Sequence, residues 1–288
     1  MKTGLVMEGG AMRGMFTAGV IDVMMENEIV FDGAIGVSAG ATFGCNYVSH
    51  QPGRAIRYNM DYCKDWRYCS VRSLIRTGDM FGAEFCYYTI PDKLDPFDVD
   101  TFYASPTEFY VVCTDIETGK PVYHKCDNGM QEDMEWIRAS ASMPLASGIV
   151  RAGEREMLDG GVADSIPLRY FETIGYERNV VILTQPRGFV KKKNELLPLI
   201  KVAYRKYPKF VKAVAERHEI YNKTTRYIQM QERKGSTYVI CPEEKLPIGH
   251  IERDPENLKR VYEIGRSVAS KHLDELRSFM GAREAVGK

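Results

Sequence analysis

The stretch Gly36-Val-Ser-Ala-Gly40 places a serine at the end of a short apolar run and before small residues that suit a helix. A strand–turn–helix of this kind strains the serine backbone, and the flanking glycines leave no Cβ to clash where strand and helix cross. Ser38 would project its hydroxyl from the turn, beside N–H groups at a helix N-terminus that face developing negative charge. These residues suit a serine nucleophile. The alternative is a tight connection without chemistry, since Gly and Ser are common in turns.

A second glycine-rich turn precedes this one and follows the apolar run Thr3–Met7. It lacks both the G-x-G-x-x-G order and the G-K-[ST] ending of nucleotide-binding loops. In a parallel sheet the two turns would lie at the same edge, so the loop would offer backbone N–H donors to an oxyanion near Ser38. The loop consists of Gly9, Gly10, Ala11, Met12, Arg13 and Gly14.

A serine nucleophile needs a base, and Asp159 is the better candidate. The glycines that follow it, Gly160 and Gly161, allow a tight turn that could bring the carboxylate to Ser38, although a plain Asp-Gly turn is the alternative. A Ser–Asp–His order is also arithmetically available. The histidines lie in polar contexts without a distinguishing neighbour: His50, His124, His218, His250 and His272.

Composition bounds the class of protein. The 288 residues, 44% of them hydrophobic, suffice for one large domain or two small ones. Lys and Arg number 39 and so do Asp and Glu, which gives no global argument for a nucleic-acid partner. Seven scattered cysteines without a C-x-x-C pair favour reduced thiols over a disulfide framework or a zinc site. With no apolar signal-peptide core near Met1, we expect a cytoplasmic protein.

The order of elements predicts an α/β protein. Strands at Thr3–Met7 and Phe31–Val37, each followed by a helix, indicate a mainly parallel sheet with helices on both faces. Further predicted elements are a hairpin of Glu108–Asp115 and Pro121–Lys125, a helix over Met130–Ser140, an extended segment over Gly148–Leu158, a helix over Pro167–Ile174, a buried strand over Val180–Thr184, helices near Leu196–Arg233, a strand at Thr237–Ile240 and a helix over Pro255–Met280.

Two segments depart from the average composition. Residues 52–106 are crowded with aromatics and predict a helical excursion or lid, whose rings either close a core or line an apolar cleft. The basic segment Arg187–Arg217 carries ten basic residues against Glu195 and Glu216. It is either a solvated helix face or a surface that meets anionic headgroups.

The three glycine-containing motifs together resemble the bacterial patatin-like phospholipase family. The resemblance rests on Glu8-Gly-Gly-Ala-Met-Arg-Gly14, Gly36-Val-Ser-Ala-Gly40 and Asp159-Gly-Gly161, with Ala139-Ser-Ala-Ser-Met-Pro144 as a fourth block. It spans roughly residues 4 to 185, and no motif after about residue 190 takes part. Ala11 stands where the family has a third glycine, so a positive φ there would strain the alanine.

The resemblance implies a Ser–Asp dyad acyl hydrolase of lipids or phospholipids. Ser38 would be the nucleophile, Asp159 its base and the Gly9–Gly14 loop the oxyanion hole, with neither metal nor organic cofactor required. The implied architecture is a three-layer α/β/α catalytic domain over 1–186, with a mostly helical region over 187–288 on the same core. We keep open an acyltransferase or thioesterase on a non-phospholipid acyl donor, and a non-catalytic binding protein that retains the fold.

Overall fold

The computed structural model describes residues 1–281, which form a mixed α/β structure around one eight-stranded sheet. The strands are β1 (Lys2–Met7), β2 (Gly33–Val37), β3 (Glu108–Asp115), β4 (Pro121–Cys126), β5 (Val150–Ala152), β6 (Arg155–Asp159), β7 (Tyr176–Ile182) and β8 (Thr237–Ile240). The helices are α1 (Gly14–Glu26), α2 (Ala39–Val48), α3 (Arg54–Tyr62), α4 (Val71–Thr77), α5 (Val99–Ala104), α6 (Gln131–Ser140), α7 (Leu168–Thr173), α8 (Leu197–Ala203), α9 (Pro208–Arg233) and α10 (Pro255–Gly281).

The sheet is mainly parallel, as the sequence predicts. Strands β3, β2, β1, β7 and β8 lie side by side and parallel in that order. The antiparallel pairs are β3 with β4, β3 with β6, and β5 with β6, all at one end of the sheet. The predicted fold class is therefore confirmed.

Side chains alternate along each strand, so apolar residues point to both faces of the sheet, and helices pack over each face. Leu5 and Met7 of β1 pack in a core with α1, α2 and α10, while Val6 between them packs in a second core with α7 and α9. The last helix is tied to the first by hydrogen bonds as well: the Tyr262 hydroxyl donates to Asp22 Oδ2 over 2.6 Å. The helical C-terminal region thus supplies part of both outer layers.

Some predicted boundaries differ from the structure. The extended segment over 148–158 is a hairpin of β5 and β6 that turns at Gly153, which has a positive φ. Residues 52–106 form α3, α4, a π-helical segment over Phe85–Leu94 and α5. The proposed division at residue 186 stays a prediction, and residues 282–288 of its second part lie outside the described chain.

The register of three strands explains why distant parts of the sequence meet. The first residues of β3 pair with β2 as far as Val37 opposite Val112, and the next residue of β3, Cys113, lies opposite Asp159 of β6. β4 occupies one edge of β3, so β2 and β6 share the other edge. Since β2 is parallel to β3 and β6 is antiparallel to it, β6 approaches the end of β2 from the opposite direction. The two strands therefore end beside each other, at Val37 and Asp159.

Candidate active site

Ser38 and Asp159 are hydrogen-bonded in the structure. The Ser38 hydroxyl donates to Asp159 Oδ2 over 2.8 Å, and both side chains are buried. The other carboxylate oxygen, Oδ1, accepts the backbone N–H of Gly161 over 2.7 Å, and the Asp159 N–H donates to the Ser142 carbonyl over 2.8 Å. The carboxylate is thus held on both sides, with one oxygen facing the serine.

The turn around Ser38 has the strained geometry that its sequence predicts. Ser38 has φ of 54° and ψ of −120°, a region rarely occupied by residues other than glycine. A Cβ on Gly36 would collide with the carbonyl oxygen of Gly40, and one on Gly40 with that of Met7 in β1. Only glycine fits these two positions, so strand and helix can cross closely at the turn that carries Ser38.

The glycine loop lies beside Ser38, and its six backbone N–H groups differ in availability. The amides of Gly9, Arg13 and Gly14 donate to carbonyl oxygens of the protein. Those of Gly10, Ala11 and Met12 have no acceptor within residues 1–281. Ala11 has φ of 48°, so the alanine occupies the conformation that favours glycine. Three free donors therefore remain in this loop.

Burial dominates the electrostatics of Asp159. It raises the pKa of the carboxyl group above its ordinary value, because the charged form loses water. The positive charge of Arg217 opposes this shift, as do the hydrogen bonds from Ser38 and Gly161. A carboxylate with a raised pKa is a stronger base than an exposed aspartate, which suits proton removal from a hydroxyl.

Ser38 lies where two hollows meet. We call the first the apolar cavity; it is lined mainly by aromatic and aliphatic side chains from residues 42–143, including Phe43, Tyr58, Tyr68, Phe81, Tyr87, Ile90, Met134, Ile137 and Met143. The aromatic segment 52–106 therefore serves both predicted roles: four of its rings line this cavity, whereas Phe85, Phe97 and Phe102 are buried in the core.

We call the second hollow the cationic cleft. It contains Ser38 and Asp159 together with Arg13, Lys191, Lys192 and Arg217. Ala11 and Met143 line both hollows, so they mark the boundary between them. A molecule bound at Ser38 could place an apolar part on one side and a negatively charged part on the other.

The basic segment Arg187–Arg217 does not form one uniform surface. Lys191 and Arg217 face the cationic cleft, and Arg187 forms an ion pair with Glu232 at 2.6 Å. Lys192, Lys193, Lys206 and Lys209 are exposed, and the same segment carries the exposed apolar residues Val190, Leu196, Leu199 and Val202. Lys191 therefore does not belong to the outer surface, although sequence reasoning grouped it there.

None of the five histidines is hydrogen-bonded to Ser38. His218 and His250 line the cationic cleft, but the His218 ring contacts the carbonyl oxygen of Ala215, and burial lowers the pKa of His250. His272 contacts the Tyr238 hydroxyl, His124 stacks on Trp136 and His50 lines a separate hollow. The geometry gives the Ser–His alternative no support.

Two supporting residues escaped the sequence analysis. Ser140, inside the fourth motif block, accepts the Ser38 N–H over 2.9 Å and donates to the Val112 carbonyl over 2.6 Å. Glu8 is buried and accepts hydrogen bonds from the Thr184 N–H and the Tyr221 hydroxyl. Their place in the motif blocks was the only sequence signal, since hydrogen-bond partners so distant along the chain cannot be read from spacing.

Within residues 1–281, one group of side chains has the residue types and spacing of metal ligands. His124, Cys126 and Asp133 bring their donor atoms within 4.8 Å of one another. However, Asp133 already accepts the N–H groups of residues 127–129 and contacts His124, which accounts for both its oxygens. The cluster is explained as a structural anchor of the turn before α6.

Comparison with known families identifies two matching regions. The model of the patatin-like phospholipase family matches residues 5–172, which is more than half of the chain. A second model, described as a domain of unknown function (DUF6363), matches residues 207–281. Both Ser38 and Asp159 lie in the first region, and Arg217 lies in the second.

Individual relatives are similar over part of their length. The uncharacterized protein YjjU of Escherichia coli is 31% identical over 191 residues, covering 64% of this chain and 52% of YjjU. Lysophospholipase nte1 of Aspergillus oryzae is 28% identical over 184 residues, covering 60% of this chain and 11% of that protein. The chain thus spans about half of one relative and a tenth of the other. Among solved structures, VipD from Legionella pneumophila aligns with 95% of this chain and 67% of its own, at 12% identity and a TM-score of 0.46.

Proposed function

We propose that this chain, which belongs to the patatin-like phospholipase family, hydrolyses acyl esters of lipids with Ser38 as the nucleophile and Asp159 as its base. One observation carries the proposal: the buried hydrogen bond of 2.8 Å between the serine hydroxyl and the aspartate. It joins residues 121 positions apart at the ends of two strands, and the serine has the strained backbone typical of a nucleophile at a strand-to-helix turn.

In the proposed reaction the Ser38 oxygen attacks the ester carbonyl while Asp159 accepts its proton. The tetrahedral oxyanion would be held by the free N–H groups of Gly10, Ala11 and Met12. As the intermediate collapses, the ester bond breaks and the alcohol leaves with the proton from Asp159. Water, deprotonated by the same carboxylate, then attacks the acyl-serine, and the bond to Ser38 breaks as Asp159 returns the proton to the serine oxygen and the fatty acid is released.

We place the acyl chain in the apolar cavity. Its aromatic and aliphatic lining would bury methylene groups, each worth about 0.8 kcal/mol when removed from water. The name of the fungal relative, a lysophospholipase, agrees with a lipid substrate. Acyl transfer to an acceptor other than water, or a thioester substrate, would use the same residues and remains the second hypothesis. The third is a non-catalytic protein that retains the fold.

The basic segment Arg187–Arg217 supports a further part of the proposal, peripheral contact with an anionic membrane. Four exposed lysines, Lys192, Lys193, Lys206 and Lys209, flank a stretch with exposed apolar side chains beside the cationic cleft. Such a surface can combine attraction to anionic headgroups with shallow insertion of apolar groups. Within residues 1–281, no helix is long and apolar enough to span a bilayer. The cytoplasmic location stays a prediction.

The direct test is labelling with a fluorophosphonate probe followed by peptide mapping. An activated Ser38 would be modified, and the Ser38→Ala variant would not. A chain-length series of p-nitrophenyl esters then separates the hypotheses, since a lipid hydrolase should prefer longer chains. Labelling elsewhere, or no hydrolysis that depends on Ser38, would contradict the proposed function.

A further inference from the structure

We propose that Lys191 and Arg217, together with Arg13, form a binding site for an anionic group on the alcohol part of the substrate, a phosphate or a carboxylate. The enzyme would then select anionic lipids over neutral esters of the same acyl chain. This inference rests on the proposed function and names the substrate class of the same site.

Arg217 reaches the immediate surroundings of the dyad from α9. Its Nη2 lies 3.2 Å from the position that a Cβ on Gly161 would take, and Gly161 donates its N–H to Asp159. No carboxylate within residues 1–281 lies within 4 Å of this guanidinium, and its Nε is buried without a hydrogen-bond partner. A half-buried cation whose Nε is buried and unpaired is costly unless a ligand completes its hydrogen bonds.

Lys191 faces the same cleft from the segment before α8. Its backbone N–H donates to Asn222 Oδ1 over 2.8 Å, and its carbonyl accepts from Asn222 Nδ2 over 3.0 Å, so the segment is fixed to α9. The ammonium lies 4.3 Å from the centre of the Tyr221 ring and forms no ion pair with the described residues. Burial and the nearby Arg217 lower the pKa of Lys191 to about 8, as expected where cations crowd together.

Arg13 adds a third cation that forms no ion pair within residues 1–281. Its Nε is buried and makes no hydrogen bond, and no carboxylate of residues 1–281 approaches within 4 Å. The two acidic groups nearby, Glu8 and Asp159, already accept hydrogen bonds on both oxygens. Three cations therefore face the cleft without a hydrogen-bonded anion, and an incoming oxyanion could accept from all of them.

The position of this site decides which part of a substrate it meets. Ser38 separates the cationic cleft from the apolar cavity, so an acyl chain on one side leaves the alcohol part on the other. The anion is therefore on the alcohol part. Arg217 also lies outside the region that the phospholipase family model matches, within the domain of unknown function. Substrate selection would thus depend in part on the C-terminal region.

The experiment compares two substrates with the same acyl chain: a monoacylglycerol and its glycerol phosphate counterpart, both below their micellar concentrations. The ratio of their kcat/KM values is the readout. We expect the parent to prefer the phosphate form, and Arg217→Gln and Lys191→Met each to reduce the ratio by roughly tenfold to a hundredfold, as for loss of a charge-assisted hydrogen bond. Arg217→Lys should keep part of the preference. The control is Arg226→Gln, an exposed arginine on the same helix, which should leave the ratio unchanged.

Binding measurements make the inference testable apart from catalysis. Glycerol phosphate and inorganic phosphate are titrated into the Ser38→Ala protein by calorimetry, with thermal melting to check that each variant is folded. The site is supported if glycerol phosphate binds and Arg217→Gln abolishes this binding. If inorganic phosphate binds equally tightly, the site is one for the free anion and not for the substrate. The inference is wrong if both lipids are hydrolysed equally well, if the kcat/KM ratio is unchanged in both variants, or if neither phosphate binds. Failure of the proposed function is different: neither lipid is hydrolysed and Ser38 is not labelled.

Discussion

The apolar cavity and the cationic cleft meet at Ser38, but only the cleft also draws residues from beyond the region that matches the phospholipase family. The cavity is lined by side chains of residues 11–143, all within the region that matches the phospholipase family. The cleft draws Lys191, Arg217 and His250 from the region beyond it. This division suggests that acyl-chain binding goes with the family fold, whereas recognition of the alcohol part depends on what the C-terminal region brings.

The two hollows should also respond differently to conditions. Burial of methylene groups is insensitive to salt, whereas attraction between charges weakens as the Debye length falls from about 10 Å at 0.1 M to about 3 Å at 1 M, although less for half-buried charges than for exposed ones. Chain-length preference and charge preference can therefore be separated experimentally. Four predictions follow from this contrast.

The largest effect is expected where the two hollows join. Ser38→Ala and Asp159→Asn should each lower esterase kcat/KM by about 10³-fold or more, and the double variant little further, because members of a dyad act as a unit. Circular dichroism should find both variants folded. The assignment is wrong if Asp159→Asn stays within tenfold of the parent while substitution of His218, His250 or His272 abolishes activity.

The sequence was more informative about the turns that carry Ser38 and Asp159 than about the apolar cavity and the cationic cleft on either side of them. Glycines around Ser38 and after Asp159 are local signals, so the turns could be found without knowing the fold. The meeting of β2 and β6 on β3 depends on strand register, which spacing does not specify. The basic segment was visible as composition, but which cations fold inward depends on packing against Tyr221 and Asn222 of α9. Aromatics of residues 52–106 likewise divide between cavity and core only once their helices are placed.

The second prediction concerns the apolar side. Ala141 lines the cavity just after α6, so Ala141→Leu should occupy space needed by a long acyl chain. Losing about three methylene contacts at about 0.8 kcal/mol each would lower kcat/KM for long esters by roughly 50-fold, with little change for short ones. The measurement is a p-nitrophenyl ester series from two to sixteen carbons. The exposed Ala104→Leu is the control, and a uniform fall at all chain lengths would refute the placement.

The third prediction asks whether the exposed lysines of the basic segment serve membrane contact. Replacing Lys192, Lys193, Lys206 and Lys209 with Gln should reduce binding to anionic vesicles by about tenfold or more, at roughly 1 kcal/mol for each lysine close to the surface. High salt should weaken binding of the parent in the same direction. Co-sedimentation with anionic and neutral vesicles measures both effects.

The control for the vesicle experiment removes the same charge elsewhere in the C-terminal region. Lys223, Lys234, Lys245 and Lys259 are exposed and lie outside the basic segment, so their Gln variant has the same net charge. It should bind anionic vesicles like the parent. If the two quadruple variants lose binding equally, net charge and not this surface is responsible, and equal binding to neutral vesicles would leave the segment as ordinary solvated surface.

The smallest expected effect is a dependence of charge preference on pH. Because the pKa of Lys191 is lowered to about 8, its ammonium is protonated below that value and neutral above it. The neighbours whose charges act on it are Arg217, Glu8, Arg13 and Asp159, and a phosphate monoester with a second pKa of about 6 stays doubly ionised across this range. The kcat/KM ratio of phosphate to neutral lipid should therefore fall several-fold as pH rises through 8, since this ratio reports the free enzyme. Lys191→Met should have a lower ratio that no longer changes across this range. A decline of the same size in Lys191→Met would assign the titration to another group.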